Sequence, residues 1–559
     1  YFFLDLSLCI ILVMNLVEFN FMNQNKFAKN ILHNKSKPPT LLIILALLVA
    51  LLCITPALYL LFRSFEIVDN KIMSIVLTKN VFLVFFRTIS IIILVSVVSS
   101  IISIFAAWVI EKTDVPFKKI LTLGLILPLV IPSFILATTV VELYSPKGQL
   151  QKFLSIFGVD RLPEIYGLPG ATFVLVIMTY PYVFLIVRGA LRRLDPQLLE
   201  ASRSLGYGPV KTFFFITIPL LRPAIAAGAL LVALYTLSDY GGMALLRYNT
   251  FTVNIMTLYD ASINRSLPSI LSLLLVFFAL FFIFIEYFTR GKGVFHRSTS
   301  GAEKISKHIE TGIFKWPLVL ILLLIILLSL LTPIGVLFYW LIRGLINGND
   351  LLPLLNPVIN SLYVAFLASF FTILTALPVA LLITRYKHKL NNFIEFSSYI
   401  GFGLPGIVVA LSLVFLSINL FFPLYQSMWL LIFSYIVLFI PASIGSIRAS
   451  VLQVNPRLED AAYSLGKTPI KVMSKVTLPL IMPGIISGGI IVFLLTLKEL
   501  PATLILSPIG YDTLSTTIWG AATEAFFTRT GGASLILILI AGIPMAFMTL
   551  KSSKYNIQK

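Results

Sequence analysis

Two acidic residues interrupt long apolar stretches of the sequence and could do chemistry there. Asp239 lies in YTLSDYGGMALL and Glu499 in LTLKELPATLIL, and 260 residues separate them. A charge within an apolar span is costly, so it is a functional candidate by default, and carboxylate oxygens suit hard cations. The pattern indicates a substrate path, with Asp239, Tyr240 and Glu499 forming a cation relay or gate and the two carboxylates a transient metal site. The alternative is that both are ordinary charges at the edge of an apolar span, with Lys498 neutralising Glu499.

The overall composition requires a membrane around these stretches. The chain has 559 residues, of which 58% are hydrophobic and only 12% charged, whereas soluble domains carry roughly 25% charged residues. The composition therefore predicts that the chain is embedded in the lipid bilayer, which is its first expected partner. The net charge of +19 is interpreted as topology, because Lys and Arg collect in cytoplasmic loops, and no nucleic-acid partner is expected. The two cysteines form no CxxC motif, and no catalytic site is visible.

Twelve apolar segments have about the length that a spanning helix needs. Six fall in each half of the chain, at residues 41–62, 82–110, 119–141, 168–188, 219–240 and 268–289, and then 315–342, 361–384, 394–417, 427–447, 480–499 and 533–550. The sequence thus predicts an all-α, polytopic membrane protein of about 12 transmembrane helices. Prolines inside these spans, or at their ends, are expected either to break helices beside a cavity or only to shape packing; they are Pro128, Pro132, Pro181, Pro405 and Pro441.

Basic loops set the orientation and the domain boundaries. Residues 23–38, the loop at 385–390, the linker and the C-terminal tail are all basic, so both termini and the linker are predicted to be cytoplasmic. The predicted divisions are an N-terminal tail (1–40), a first transmembrane half (41–290), a basic linker (291–314), a second half (315–552) and a tail (553–559). Two interpretations of residues 1–21 stay open: part of the protein, or a spurious extension ahead of Met22.

The two halves are copies of each other. Residues 196–228 match residues 456–488 at 14 of 33 positions, with Gly206 aligned to Gly466 and Pro219 to Pro479. Upstream the offset grows from 260 to 273, which indicates a longer external loop in the first half. Halves with the same even number of helices have the same orientation, so they are expected to form two parallel pseudo-repeats.

Each copy opens with a segment that is built to bend outside the membrane. Asp195-Pro196 and Asn455-Pro456 are helix-start signals. About ten residues later, Gly206 and Gly466 are of the type that ends a helix in the left-handed conformation. A second helix then begins and enters the membrane at Pro219 or Pro479. We expect the small residues Ala201, Ser202, Ala461 and Ala462 to leave a low face for another protein, although an ordinary interfacial helix is the alternative.

These two segments resemble the EAA---G---------I-LP motif of the permeases of ABC importers. The first copy has Glu200, Ala201, Ser202, Gly206 and Pro219, and the second has Asp460, Ala461, Ala462, Gly466 and Pro479. The resemblance implies the type I transmembrane-domain fold of ABC importers, in which this helix is the coupling helix that inserts into the ATPase subunit. It further implies that this chain carries both docking sites, for a homodimer of ABC ATPase subunits. ATP and Mg are expected on those subunits, with no cofactor bound by this chain; the GKT at 466–468 lacks the first glycine of a P-loop.

The stretches around Asp239 and Glu499 resemble the fused, two-motif ferric-iron permeases of bacteria. That resemblance implies import of ferric iron across the inner membrane by alternating access, from a periplasmic iron-binding protein that docks on loops 142–168, 241–267 and 500–532. Three alternatives stay open. One is an ABC permease for thiamine or another small solute, a second is an ion-gradient-driven secondary transporter of twelve helices, and the third is a membrane enzyme.

Overall fold

The computed structural model shows a helical protein. It describes residues 38–66, 78–146, 148–194, 202, 204–261, 266–289 and 309–555. Most of the predicted N-terminal tail and basic linker, the end of the C-terminal tail, Glu200 and Ala201 lie outside these residues. Across the described ranges the only β-type pairing is an isolated bridge between Thr113 and Ile309.

The described residues of the first half of the sequence form eleven helices. They are α1 (Thr40–Glu66), α2 (Lys79–Lys112), α3 (Lys118–Ile126), α4 (Ser133–Tyr144), α5 (Gln149–Leu154), α6 (Leu168–Arg193), α7 (Pro209–Thr212), α8 (Ile218–Ser238), α9 (Gly241–Leu245), α10 (Phe251–Ala261) and α11 (Ser266–Thr289).

Twelve helices follow in the second half. They are α12 (Lys315–Ile326), α13 (Thr332–Ile346), α14 (Leu355–Arg385), α15 (Asn391–Tyr399), α16 (Gly406–Leu420), α17 (Met428–Gln453), α18 (Arg457–Ser464), α19 (Pro469–Val472), α20 (Leu478–Leu497), α21 (Pro501–Leu506), α22 (Leu514–Thr523) and α23 (Phe527–Tyr555).

Nine helices of the described residues are long and apolar enough to cross a membrane, or ten if one bent pair is counted as a span. The bent pair corresponds to the predicted span at 119–141, where the chain turns by 101° between residues 130 and 133. The predicted span at 394–417 is likewise interrupted, between α15 and α16. Pro132 and Pro405 immediately precede the helices that follow these breaks. A proline interrupts a helix because its φ angle is fixed and it cannot donate a backbone hydrogen bond. Of the two alternatives for the five prolines, helix breaking holds at Pro132 and Pro405, whereas Pro181 and Pro441 lie inside continuous helices.

Three π-helical segments widen the spans, each two residues before a proline. They cover Phe213–Thr217, Leu327–Leu331 and Met473–Thr477, ahead of Pro219, Pro333 and Pro479. A proline ring clashes with the carbonyl group four residues earlier in a regular helix. The wider turn accommodates the ring, so the helix continues through it instead of breaking.

Contacts divide the chain into two compact units. The first comprises Tyr1–Glu66 and Ile359–Tyr511, and the second comprises Ile67–Val358 and Asp512–Lys559. These units do not coincide with the sequence halves 41–290 and 315–552, which the repeat defines. In the first unit α1 packs on α15 and α16, and in the second α12 and α13 pack on α3 and α4. The first helix of each repeat therefore packs on the broken span of the other repeat.

Glycines allow close helix crossings at repeated positions. In the second unit Gly228 of α8 lies against Val183 of α6, where an added Cβ atom would come within 3.0 Å of the Val183 Cα atom. In the first unit Gly488 of α20 lies against Ser443 of α17, at a corresponding 3.2 Å from the Ser443 Oγ atom. Small residues at such crossings let backbones approach in a bilayer, where dispersion contacts hold helices together.

Candidate functional site

The second coupling segment has the predicted helix–glycine–helix form. Asn455 Oδ1 accepts the backbone N–H of Arg457 at 3.0 Å at the start of α18. After α18, Gly466 has a φ angle of 74°, and the N–H group of Lys467 donates to the carbonyl oxygen of Ala462 at 3.2 Å. This is the hydrogen bond of a left-handed helix end. The predicted conformation of Gly466 is confirmed.

The described part of the first coupling segment repeats this geometry. Gly206 has a φ angle of 83°, and the N–H group of Tyr207 donates to the carbonyl oxygen of Ser202 at 3.2 Å. Pro219 and Pro479 lie one residue inside α8 and α20. Both copies therefore turn at the same position and continue into a span.

The expectation of a low docking face is wrong for Ser202 and Ala462. Their relative exposures are 2% and 8%, so both face the interior of their own segment. Ser202 contacts Thr212 of α7 through its hydroxyl group. Ala461 and Asp460 are exposed.

The outward faces instead carry apolar residues that sequence reasoning missed. Leu205 and Val210 are 77% and 68% exposed, and their repeats Leu465 and Ile470 are 80% and 81% exposed. The signal was present in the sequence, since an apolar residue recurs one position before each glycine and four positions after it. Paired apolar side chains on a polar loop are suited to bind a partner protein.

An ion pair fixes α18 to the end of the span α14. An amino group of Arg385, at the end of α14, lies 3.3 Å from Glu459 Oε1 and donates to the carbonyl oxygen of Val454 at 3.0 Å. Thr477 Oγ1 donates to the same carboxylate oxygen at 3.1 Å. Since both ionic side chains are mostly buried, this cluster holds the exposed segment rigidly against the span.

Asp239 lies at the end of α8 and is buried, with 7% relative exposure. Its Oδ1 atom accepts a hydrogen bond from the Ser133 hydroxyl group, and Oδ2 accepts the backbone N–H of Met243 at 3.3 Å. Its carbonyl oxygen accepts the Thr252 hydroxyl at 2.6 Å. The carboxylate therefore joins α4, α8 and α9, and it is not an exposed boundary charge.

Glu499 occupies the repeated position after α20 and is half-buried. Its Oε1 atom accepts the backbone N–H of Ala502 at 3.2 Å, and its carbonyl oxygen accepts the Thr503 hydroxyl at 2.8 Å. The carboxylate lies against Gly406, because a Cβ atom on that glycine would overlap Oε1. Lys498 is also half-buried.

The other predicted site residues have separate surroundings. Tyr240 is 9% exposed, and its ring centroid is 5.2 Å from that of Trp519. Asp239 and Glu499 belong to different compact units. Within the described ranges no group of three or more His, Cys, Asp or Glu side chains could hold a metal ion. The GKT triplet follows the end of α18 and starts at the left-handed Gly466.

Comparisons with known proteins establish the class. Residues 99–347 and 368–550 match the family described as the binding-protein-dependent transport system inner membrane component. The chain belongs to this family and is a permease component of such a transport system, in the inner membrane and with several spans. Its fold is the type I transmembrane fold of ABC importers.

Several relatives are named as permeases of transport systems. The chain is 31% identical to the Fe(3+)-transport system permease protein FbpB 2 of Haemophilus influenzae over 520 residues, which cover 91% of this chain and 98% of the relative. It is 24% identical to the ferric transport system permease protein FbpB of Actinobacillus pleuropneumoniae, over 68% of this chain and 58% of the relative. A probable ABC transporter permease of Sinorhizobium fredii is 25% identical over 79% of this chain and 84% of its own length.

Proposed function

We propose that this chain is the permease of an ATP-driven importer of ferric iron. A periplasmic iron-binding protein delivers the cation, and a homodimer of ABC ATPase subunits drives its passage across the inner membrane. The ferric cargo is supported by the names of the relatives that match along most of the chain. The observation that carries the ATP-driven mechanism is the pair of coupling segments, with left-handed turns at Gly206 and Gly466.

The coupling segments supply the docking surfaces for the two ATPase subunits. Each presents an exposed apolar pair, Leu205 with Val210 and Leu465 with Ile470, beside a rigid turn. Closure of the ATPase dimer on ATP pulls the segments together, and hydrolysis resets them, which opens the permease to alternate sides. This mechanism places both segments, both termini and the linker on the cytoplasmic side.

The binding protein docks at the opposite side of the membrane. Of the three loops predicted to contact it, the one at 142–168 contains the short helix α5 and exposes apolar side chains. Phe153, Ile156 and Phe157 are 58%, 77% and 71% exposed in that loop. This loop belongs to the longer connection of the first half, so it provides an asymmetric surface for an asymmetric partner.

The cation relay through Asp239, Tyr240 and Glu499 stays a prediction. Both oxygens of the Asp239 carboxylate accept hydrogen bonds within the chain. Each oxygen has a second lone pair, so a passing cation could bind this carboxylate without displacing these hydrogen bonds.

Uptake measurements test the cargo and the energy source together. In a bacterial strain that lacks its own copy, the chain is produced with its ATPase and binding protein, and uptake of radiolabelled ferric iron and of thiamine is compared. We expect iron to accumulate and thiamine not to, with uptake abolished by ATP depletion and by a Walker A variant of the ATPase. Uptake of thiamine without uptake of iron would overturn the assignment of ferric iron as the cargo. Uptake that persists without ATP would identify an ion-gradient-driven transporter.

Co-purification tests the partners separately. The purified complex is expected to contain two ATPase subunits for each copy of this chain. Leu205→Asp combined with Leu465→Asp is expected to release them, because a charge cannot be buried in an apolar contact without cost. The matched control is Phe153→Asp, on the opposite loop, which should leave the ATPase subunits bound.

A further inference from the structure

Each carboxylate lies at the far end of a helix that begins at a coupling segment. One continuous helix covers Val210–Ser238, and the corresponding helix covers Pro469–Leu497; each has 29 residues. At 1.5 Å per residue each is about 40 Å long. Asp239 directly follows the first, and Glu499 follows the second after one residue.

At that end, each carboxylate meets the first residue of the helix after a proline break. Asp239 accepts a hydrogen bond from Ser133, which begins α4 after Pro132. Glu499 lies against Gly406, which begins α16 after Pro405. Ser133 and Gly406 are equivalent positions, since both are related by the offset of 273. A negative charge is favourable beside the amino-terminal end of a helix.

In each contact the length of the acidic side chain matches the size of the residue it meets. The first pairs a shorter acid with a serine, and the second pairs a longer acid with a glycine. A Cβ atom on Gly406 would overlap Glu499 Oε1, so the glutamate side chain would have to leave its present position to accommodate a serine there. In the first copy, a Cβ atom on Gly242 would come within 2.9 Å of Asp239 Oδ2, so that carboxylate also lies against a glycine.

We infer that Asp239 and Glu499 are latches that join each coupling helix to a broken span, and that Ser133 and Gly406 are the positioning residues that fix them. A displacement of a coupling segment is delivered through the long helix to the first residue of α4 or α16. The latches thereby transmit the ATP-driven movement to the part of the span that the proline leaves free. This inference rests on the proposed function, because it assigns the carboxylates to coupling within the importer.

Exchanging the residue pairs of the two contacts tests the inference. The single variants Asp239→Glu and Gly406→Ser overfill their contacts, and the double variants Asp239→Glu with Ser133→Gly, and Gly406→Ser with Glu499→Asp, restore the fit. Because overfilling displaces the carboxylate from its contact, we expect each single variant to lower uptake about tenfold or more, and each double variant to recover most of it. The singles should still bind the ATPase and hydrolyse ATP, so the ratio of ATP hydrolysed to iron transported should rise.

Two results would overturn the latches. One is wild-type uptake in both single variants, and the other is double variants that are no better than the singles. If a single variant fails to insert, Asp239→Asn replaces it. The amide can accept from Met243 and donate to Ser133, so a latch predicts nearly unchanged uptake, whereas a cation relay predicts its loss.

The heat stability of the purified chain separates this inference from the proposed cargo. If the wild type carries a solute other than iron, the iron assignment fails, while rescue of the unfolding temperature in the double variants still supports the latches. If iron is transported but the double variants show no rescue in stability or uptake, the latches fail and the cargo stands.

Discussion

The hydroxyl groups of Ser202 and Thr212 lie 2.7 Å apart and connect the two sides of the bend at Gly206. Both residues are buried. The second coupling segment has Ala462 and Val472 at the equivalent positions, also buried. One copy therefore closes its bend with a polar pair, and the other closes the same bend with an apolar pair.

This difference between the polar pair of one copy and the apolar pair of the other predicts that substitutions at the two positions have non-additive effects on stability. Thr212→Val leaves the buried Ser202 hydroxyl without its side-chain partner, which typically costs about 1–3 kcal/mol. Ser202→Ala combined with Thr212→Val reproduces the apolar pair, so its unfolding temperature should be close to that of the wild type. Thermal unfolding in detergent measures both. A double variant as unstable as the single would show that the hydroxyl pair is not what closes the bend.

The left-handed glycines are expected to be the most sensitive positions of the coupling segments. Gly206 and Gly466 have positive φ angles and open space around them, so a side chain there causes backbone strain and no clash. Valine in this conformation costs about 1–2 kcal/mol, and Gly206→Val with Gly466→Val should abolish ATPase coupling and uptake while insertion continues.

Gly208 supplies the matched control for this prediction. It also has open space but no positive φ angle, so Gly208→Val should retain uptake. Equal loss in Gly208→Val would mean that side-chain bulk, and not the turn, is responsible.

The contact between Asp114 and the end of the linker should depend on pH only in acid. The side chain and the backbone N–H of Thr311 both donate to Asp114 Oδ1, and these hydrogen bonds hold the pKa of the carboxyl group below its ordinary value of 3.8. The contribution to stability is therefore complete above pH 3.8 and is lost as the pH falls through the lowered pKa. Between pH 5 and 8 no change is expected.

Hydrogen exchange at Ile309 reports this contact. The Ile309 N–H group donates to the carbonyl oxygen of Lys112 at 2.8 Å, so it should be protected from pH 5 to 8. Asp114→Ala should remove the protection, whereas Asp114→Asn keeps an acceptor for Thr311 and should retain most of it. Loss of protection at pH 6 in the wild type would contradict the assignment.

The crossing of α13 and α23 depends on glycine. A Cβ atom on Gly531 would come within 2.8 Å of the carbonyl oxygen of Leu337, and a backbone atom cannot easily yield. Gly531→Leu is therefore expected to destabilise the fold by about 1–3 kcal/mol, measured as a lower unfolding temperature. Gly542→Leu, on the same helix in open space, should have little effect, and equal effects would exclude a packing cause.

Local features were predictable from the sequence, because their physical causes are local. The left-handed conformation at Gly206 and Gly466 follows from residue type and repeat position. The breaks at Pro132 and Pro405 follow from the missing N–H group and fixed φ of proline. The length of the apolar runs located most of the spanning helices to within several residues.

Contacts between distant segments were not predictable. Arg188 and Arg448 are equivalent in the repeat, yet Arg188 pairs with Glu111 of α2 at 2.6 Å, whereas Arg448 pairs with Glu395 of α15. Likewise, residue type could not show that Ser202 and Ala462 face inward, because a small residue suits either a docking face or a packed interior. These outcomes depend on which helices meet, and the repeat alone does not determine that.

The packing of α1 on α15 and α16 has a consequence for folding during synthesis. Asn391, which begins α15, follows Glu66, which ends α1, by 325 residues. At about 5–20 residues per second of synthesis, α1 waits roughly 15 to 65 s for its packing partner. A nascent chain of this permease must therefore keep its first span alone in lipid during most of translation, and a ribosome that stops before α15 leaves that span orphaned for quality-control proteases.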